Sequence, residues 1–316
     1  AYMSRRMLEE GRVFIQAESE LGAINMVLGA SASGVRTMTT SSSPGISLMQ
    51  EALSYMAGDE LPCVVANIAR GGPGLGNIAG AQSDYFQATK GGGHGDYNLI
   101  VIAPASVQEM IDFTFTAFDV ADKYRTPVII LADGYLGQMM EPARIEKKEI
   151  LQVKKNWALT GARGRKPNVI NSMYLGEGVL EKHNKKLQEK FQRTKKELCL
   201  VEEISVSDAE IILIAYGTVS RICKNVVKTL RAKKIKAGLI RPITLWPFPV
   251  ETIKKNISRA KFFLVVEMST GQMVEDVRLA VEGKAPVYFY GRTGGGIPEE
   301  ERIIDLIETE YRSLPT

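Results

Sequence analysis

The densest local chemistry in this 316-residue sequence lies in Phe14-Ile15-Gln16-Ala17-Glu18-Ser19-Glu20-Leu21-Gly22-Ala23, where a strand-like run gives way to a helical one. Carboxylates at such a turn have two uses. They complement the positive end of the following helix, or one of them is a buried acid presented to a ligand at the edge of a sheet. Two glycine-rich stretches, 71–80 and 91–95, bear on that choice. Long glycine loops cost chain entropy, and in open parallel sheets they commonly line a crevice at the carboxyl ends of the strands; tight turns are the other use. Neither stretch is a standard phosphate loop. Arg70-Gly71-Gly72-Pro73-Gly74-Leu75-Gly76 lacks both the GK[ST] ending and GxGxxG spacing, and Gly91-Gly92-Gly93-His94-Gly95 fits neither. The three cysteines, Cys63, Cys199 and Cys223, form no CxxC, zinc-finger or cluster-binding run. With only two histidines, His94 and His183, a histidine-rich metal site is not expected.

The elements that must position these residues alternate. A helix ends near Glu10 with Gly11 at its stop, and no strand precedes it. Then follow strand Val13–Gln16, helix Glu18–Ala32, strand Val35–Thr39, helix Ser47–Ala57, strand Cys63–Asn67, strand Leu99–Ala103, helix Ser106–Tyr124 and strand Val128–Ala132. Apolar strands alternating with helices predict a parallel sheet covered on both faces. The stretch 142–206 breaks the rhythm and carries a charged helix, Glu181–Leu200, expected to be a solvated linker or a partner-docking element. A second α/β unit follows from 207, with strands at Ile211–Tyr216, Lys236–Ile240, Phe262–Glu267 and Val287–Tyr290. At about 100–200 residues per domain, two domains fit the length: 1–141 and 207–316, joined by 142–206. Lys+Arg 40 against Asp+Glu 36 leaves +4, which calls for no nucleic-acid and no membrane partner. No run reaches the ~18 apolar residues of a membrane span. A soluble, cytoplasmic α/β protein is expected.

The Phe14–Ala23 segment, Thr40-Ser41-Ser42-Ser43-Pro44-Gly45, Arg70-Gly71-Gly72-Pro73-Gly74, Gly91-Gly92-Gly93-His94-Gly95-Asp96 and Val266-Glu267-Met268-Ser269-Thr270-Gly271-Gln272-Met273 occur in the order seen in one family. Through them the chain resembles the alpha-type subunits of the 2-oxoacid:ferredoxin oxidoreductases over nearly its whole length. Within that family it is most similar to the branch acting on 3-methyl-2-oxobutanoate (2-ketoisovalerate). The resemblance implies a domain that grips the pyrimidine ring of thiamine diphosphate, followed by a transketolase C-terminal-like domain. It implies oxidative decarboxylation of branched-chain 2-oxo acids to acyl-CoA with reduction of ferredoxin. The same chemistry on 2-oxoglutarate or pyruvate, or a non-catalytic assembly role, stays open.

The resemblance places the family's essential glutamate on Glu20, which hydrogen-bonds ring nitrogen N1′ and so promotes loss of the thiazolium C2 proton; Glu18 is the weaker candidate. Arg70 is suited to the substrate carboxylate, which a guanidinium binds bidentately. Ser42 and Ser43 are candidate substrate contacts, Ser41 and Gly45 candidate cofactor contacts, and His94 a candidate on the rim. Two departures follow. The family's Tyr-Pro-Ile-Thr-Pro-like segment before Ala1-Tyr2-Met3 is not in this sequence, so the first domain is expected to be N-terminally truncated. The GDG…NN signature for diphosphate and Mg²⁺ has only partial echoes at Gly58-Asp59-Glu60 and Gly95-Asp96-Tyr97. The cofactor is therefore expected to be shared with a diphosphate-binding beta-type subunit that holds the Mg²⁺. Iron–sulfur clusters are expected on gamma-type or ferredoxin-like subunits, with ferredoxin and CoA as substrates and a homo-oligomeric assembly besides.

Overall fold

The computed structural model describes residues 2–146 and 149–313. The N-terminal half runs α1 (Tyr2–Glu9), α2 (Glu20–Ala32), β1 (Met38–Ser41), α3 (Pro44–Gly58), β2 (Val64–Ala69), α4 (Tyr85–Thr89), β3 (Ile100–Ile102), α5 (Val107–Tyr124), β4 (Val128–Asp133) and α6 (Gly134–Gln138). Beyond a long irregular stretch come α7 (Val179–Glu197), β5 (Val201–Ile204), β6 (Ile211–Ile214), α8 (Gly217–Ala232), β7 (Ala237–Pro242) and β8 (Thr244–Trp246). The chain continues through α9 (Val250–Asn256), β9 (Phe262–Glu267), α10 (Met273–Val281), β10 (Val287–Gly291) and α11 (Glu300–Ser313). Among the described residues no helix is long and apolar enough to cross a membrane.

Two five-stranded sheets result, ordered β1-β2-β4-β3-β8 and β10-β9-β6-β7-β5. Each has four parallel strands and one antiparallel edge strand. The strands that read as continuous apolar runs are the interior ones: β4, β6 and β9 are buried throughout, as expected for strands covered on both faces.

The edges are shared between the halves. β5 lies inside the stretch expected to be linker, yet it pairs with β7, Val201 opposite Pro242. β8 comes from the C-terminal half and pairs with β3 of the first sheet, Val101 opposite Trp246. One apolar cluster accordingly runs through both sheets, including Ile102 and Ile130 of the first with Ile240 and Val265 of the second.

Two expectations change. Val13–Gln16 is irregular, not a strand, and Val13 and Ile15 are 78% and 63% exposed. Among the described residues β1 pairs with β2 alone, so the apolar run finds neither a ladder nor a core to face. The following strand begins at Met38, not Val35.

The shared edge yields a test. Trp246 is 8% exposed and meets Phe191 edge-on at 5.7 Å between ring centroids. Trp246→Ala is expected to cost about 3–5 kcal/mol. With Trp157 then the remaining indole, urea unfolding followed by fluorescence reports on the N-terminal half. A lowered midpoint is expected; an unchanged one would mean that β8 is dispensable to the first sheet.

Candidate active site

β1 and β2 end side by side, Ser41 opposite Asn67, and the candidate residues gather where they stop. α2 begins beside them. Ser19 caps it by accepting the Gly22 N–H at 3.2 Å, which makes Glu20 the first helical residue. Glu20 is half-buried rather than buried, and its Oε1 accepts the Ser41 hydroxyl at 3.4 Å. Glu18 is exposed. A Cβ on Gly45 would stand 2.1 Å from Ser41 Oγ and 2.6 Å from Glu20 Cγ. Only glycine at the start of α3 lets the carboxyl side chain lie there.

Ser42 accepts the Gly45 N–H on its backbone carbonyl at 2.9 Å. Ser43 has φ +24°, a conformation that L-residues hold only when their surroundings over-determine it. Its N–H donates to Asn67 Oδ1 at 3.2 Å and its hydroxyl to Asp84 Oδ2 at 2.7 Å. The same Oδ2 accepts Asn67 Nδ2 at 2.8 Å, and the Arg70 N–H donates to Ser43 Oγ at 3.1 Å. Ser43 thus ties the end of β1 to the Arg70 loop. Arg70 bridges Gly80, and the loop between them closes through Gly71 N–H to Ala79 O and Asn77 N–H to Gly71 O, both 2.9 Å. Gly76, at φ +60°, leaves no space for a Cβ, which would stand 1.6 Å from Gly71 O. Arg70 is half-buried, and its Nε is buried with no hydrogen-bond partner. A buried unmet donor costs about 1–3 kcal/mol, a cost that an arriving anion removes.

The second glycine loop lies elsewhere. It follows α4 and enters β3 at its N-terminal end, the wrong edge for a crevice at the carboxyl ends of the strands. Gly92 and Gly93 pack on Gln50, and the Ser54 hydroxyl donates to His94 O at 2.7 Å. At ~1.5 Å per residue, Ser54 is roughly 14 Å along α3 from Gly45. His94 is exposed and meets Tyr55 edge-on, so it is no rim residue of the Glu20 edge. Glu60, of the Gly58-Asp59-Glu60 echo, pairs instead with Lys186 and Lys190 of α7.

The Val266–Met273 motif is a joint. Glu267 is fully buried and accepts Ser269 Oγ (2.9 Å) and the N–H groups of Gln272 (3.2 Å), Met273 (3.0 Å) and Val274 (3.0 Å). Burial pushes its carboxyl above the ordinary range, against those four bonds. The motif grips the segment that carries Asp84. Gln82 exchanges bonds with Met268 (2.8 and 2.9 Å), Gln272 Nε2 donates to Ser83 O (2.7 Å), and Tyr85 OH donates to Asp276 (2.6 Å). Asn67, Asp84 and Gln272 were not among the sequence candidates. The one local sign was an aspartate just ahead of a short helix.

The edge suits a thiamine-type cofactor. The glycine cradle at Gly45 brings a carboxyl group to the sheet edge, and Arg70, whose Nε is buried without a partner, begins the loop that Ser43 ties to that edge.

Comparison with known proteins agrees in architecture. Residues 1–203 match the family "pyruvate flavodoxin/ferredoxin oxidoreductase, thiamine diP-binding", and residues 209–303 match pyruvate:ferredoxin oxidoreductase core domain II. The ketoisovalerate oxidoreductase subunit VorB of Methanothermobacter marburgensis is 51% identical over 94% of this chain and 84% of its own. The 2-oxoglutarate synthase subunit KorA of Methanothermobacter thermautotrophicus is 35% identical over 96% of this chain and 88% of its own. The 2-oxoglutarate:ferredoxin oxidoreductase of Magnetococcus marinus, solved with 2-oxoglutarate, coenzyme A and succinyl-CoA bound, superposes with TM-score 0.83 at 26% identity. That match covers 98% of this chain, which spans 59% of that one. A split-gene transketolase, solved as an inactive β4 tetramer, shares the fold at TM-score 0.59 and 13% identity, over 97% of this chain and 85% of that one.

The cradle can be tested directly. Gly45→Ala is expected to displace the Glu20 side chain in a crystal structure and to cost about 1–3 kcal/mol of stability through overpacking. An unmoved Glu20 carboxyl would show that the glycine is not what admits it.

Proposed function

Because the chain belongs to the pyruvate flavodoxin/ferredoxin oxidoreductase family, we propose that it is the subunit contributing the pyrimidine-side half of a thiamine diphosphate site in a multi-subunit enzyme. The reaction converts a branched-chain 2-oxo acid and CoA into acyl-CoA and CO₂, the released electrons passing to ferredoxin. The observation that carries this is the packing of Glu20 on Gly45 and Ser41 at the same edge as Arg70, whose Nε has no partner. Higher identity to a ketoisovalerate oxidoreductase subunit than to a 2-oxoglutarate synthase subunit, 51% against 35%, favours the branched-chain substrate.

Thiamine diphosphate, when bound, supplies the carbon that takes up the 2-oxo group and stabilises the charge left by decarboxylation. The chain's residues do the rest. Glu20 holds a proton against a ring nitrogen of the cofactor, with the Ser41 hydroxyl on its Oε1 fixing the carboxyl orientation. Gly45 would keep the Glu20 side chain at that edge, since its missing Cβ leaves the space that Ser41 Oγ and Glu20 Cγ occupy. Arg70 pairs with the substrate carboxylate by charge-assisted bonds. Ser43 sets the start of the Arg70 loop, and Ser42, its neighbour in the chain, is a further substrate contact. A beta-type partner subunit binds the diphosphate and Mg²⁺, and gamma-type and ferredoxin-like subunits carry the iron–sulfur clusters.

In the reconstituted complex, Glu20→Gln is expected to lower kcat by about 10²–10⁴-fold, the range of general acid–base terms, with assembly intact by size-exclusion chromatography. Arg70→Ala is expected to raise KM for the 2-oxo acid by roughly 10–100-fold. Against a panel of 2-oxo acids, kcat/KM should be highest for 3-methyl-2-oxobutanoate. Normal turnover by Glu20→Gln overturns the site, and a panel led by 2-oxoglutarate or pyruvate overturns the substrate.

A further inference from the structure

Asp84 stands at the N-cap of α4, where an aspartate ordinarily accepts an N–H of the first turn. Here its carboxylate makes no such bond. Both of its hydrogen bonds, from Ser43 Oγ and Asn67 Nδ2, point away from its own helix. The vacated capping bond is filled from the other half of the chain: Gln272 Oε1 accepts the Phe86 N–H at 2.8 Å while its Nε2 donates to Ser83 O. Phe86 is the second residue of α4, the position that an N-cap side chain serves. Gln272 is itself fixed, because Glu267 accepts the N–H groups of residues 272, 273 and 274.

We infer that Gln272 is a positioning residue. By capping α4 from the second α/β domain it frees Asp84 to hold Ser43 and Asn67, and through Ser43 the Arg70 loop. Without that acceptor, Asp84 turns back to cap its own helix. Ser43, at φ +24°, then loses the acceptor of its hydroxyl. The peptide leading into Arg70 loses its anchor as well. The kinetic consequence rests on the substrate role proposed for Arg70; the local ordering of the loop does not.

The test uses the assembled complex carrying wild-type, Gln272→Ala, Gln272→Glu, Asp84→Ala, Asp84→Asn or Gln272→Ala/Asp84→Ala chains. Two quantities are measured: amide hydrogen exchange over residues 41–47 and 67–71, and kcat and KM for the 2-oxo acid. Gln272→Ala is expected to speed exchange in both segments and to raise KM roughly three- to tenfold with kcat changed less than about twofold. Gln272→Glu keeps the acceptor for Phe86 but loses the donor to Ser83 O, so its defect should fall between those of wild type and Gln272→Ala. Asp84→Asn keeps one acceptor oxygen for both donors but not the charge, so a defect smaller than that of Asp84→Ala is expected. The double variant should be no worse than Asp84→Ala, the signature of residues acting through one another. Unchanged exchange in Gln272→Ala, equal defects in Gln272→Glu and Gln272→Ala, or additive defects in the double variant would each overturn the proposal. If the wild-type complex turns over no 2-oxo acid, the functional reading fails and the exchange comparison still decides this one.

Discussion

A single carboxylate oxygen organises the edge that carries the candidate site. Asp84 Oδ2 receives both the Ser43 hydroxyl and the Asn67 amide, and those two side chains fix the turn leaving β1 and the end of β2. Without a shared acceptor, the positive φ of Ser43 is held only by its bonds to Asn67 Oδ1 and the Arg70 peptide. The residue on either side of that turn would then be free to drift: Ser41, which orients Glu20, and Gly45, which admits it. Hydrogen bonds to a charged group run to about 1.5–3 kcal/mol each, enough to maintain one strained residue. The site is thus over-determined locally before any ligand arrives.

Much of this was legible in the sequence, and the failures have physical causes. The interior strands announced themselves as uninterrupted apolar runs, and most helices by their apolar stripes. Glu20 was separable from Glu18 only through the family pattern; the structure adds the reason, a glycine opposite one and solvent around the other. Val13–Gln16 has the apolar, β-branched character of a strand, but a strand is a pairwise object and composition says nothing of its partner. The glycines at 91–95 carry no mark of which end of a strand they serve. β8 is three residues long, too short for any period to register. The Asp84–Gln272 relation joins distant parts of the chain through a helix cap that looks, locally, like an ordinary one.

The two halves cooperate at more than one level. Their apolar residues form a common cluster, and polar bonds cross between them at Gln82, Tyr85 and Gln272. The buried Glu267 is costly in isolation, and its four donors make it tolerable. What that arrangement yields is a rigid start to α10, from which the second domain reaches across to the segment holding Asp84. The candidate groups, Glu20 on α2 and Arg70 after β2, surround the first sheet, while part of their alignment comes from the second domain.

The traded edge strands carry an evolutionary consequence. Since β5 completes the second sheet and β8 completes the first, the chain is interlaced, not strung as two beads. A recombination event joining halves from two relatives between β7 and β8 would leave the ancestral first sheet closed by a foreign strand. Each hybrid would have to match that strand to β3 and its indole to Phe191. A crossover at that point would therefore have to bring a matching strand edge and Phe191 partner with it.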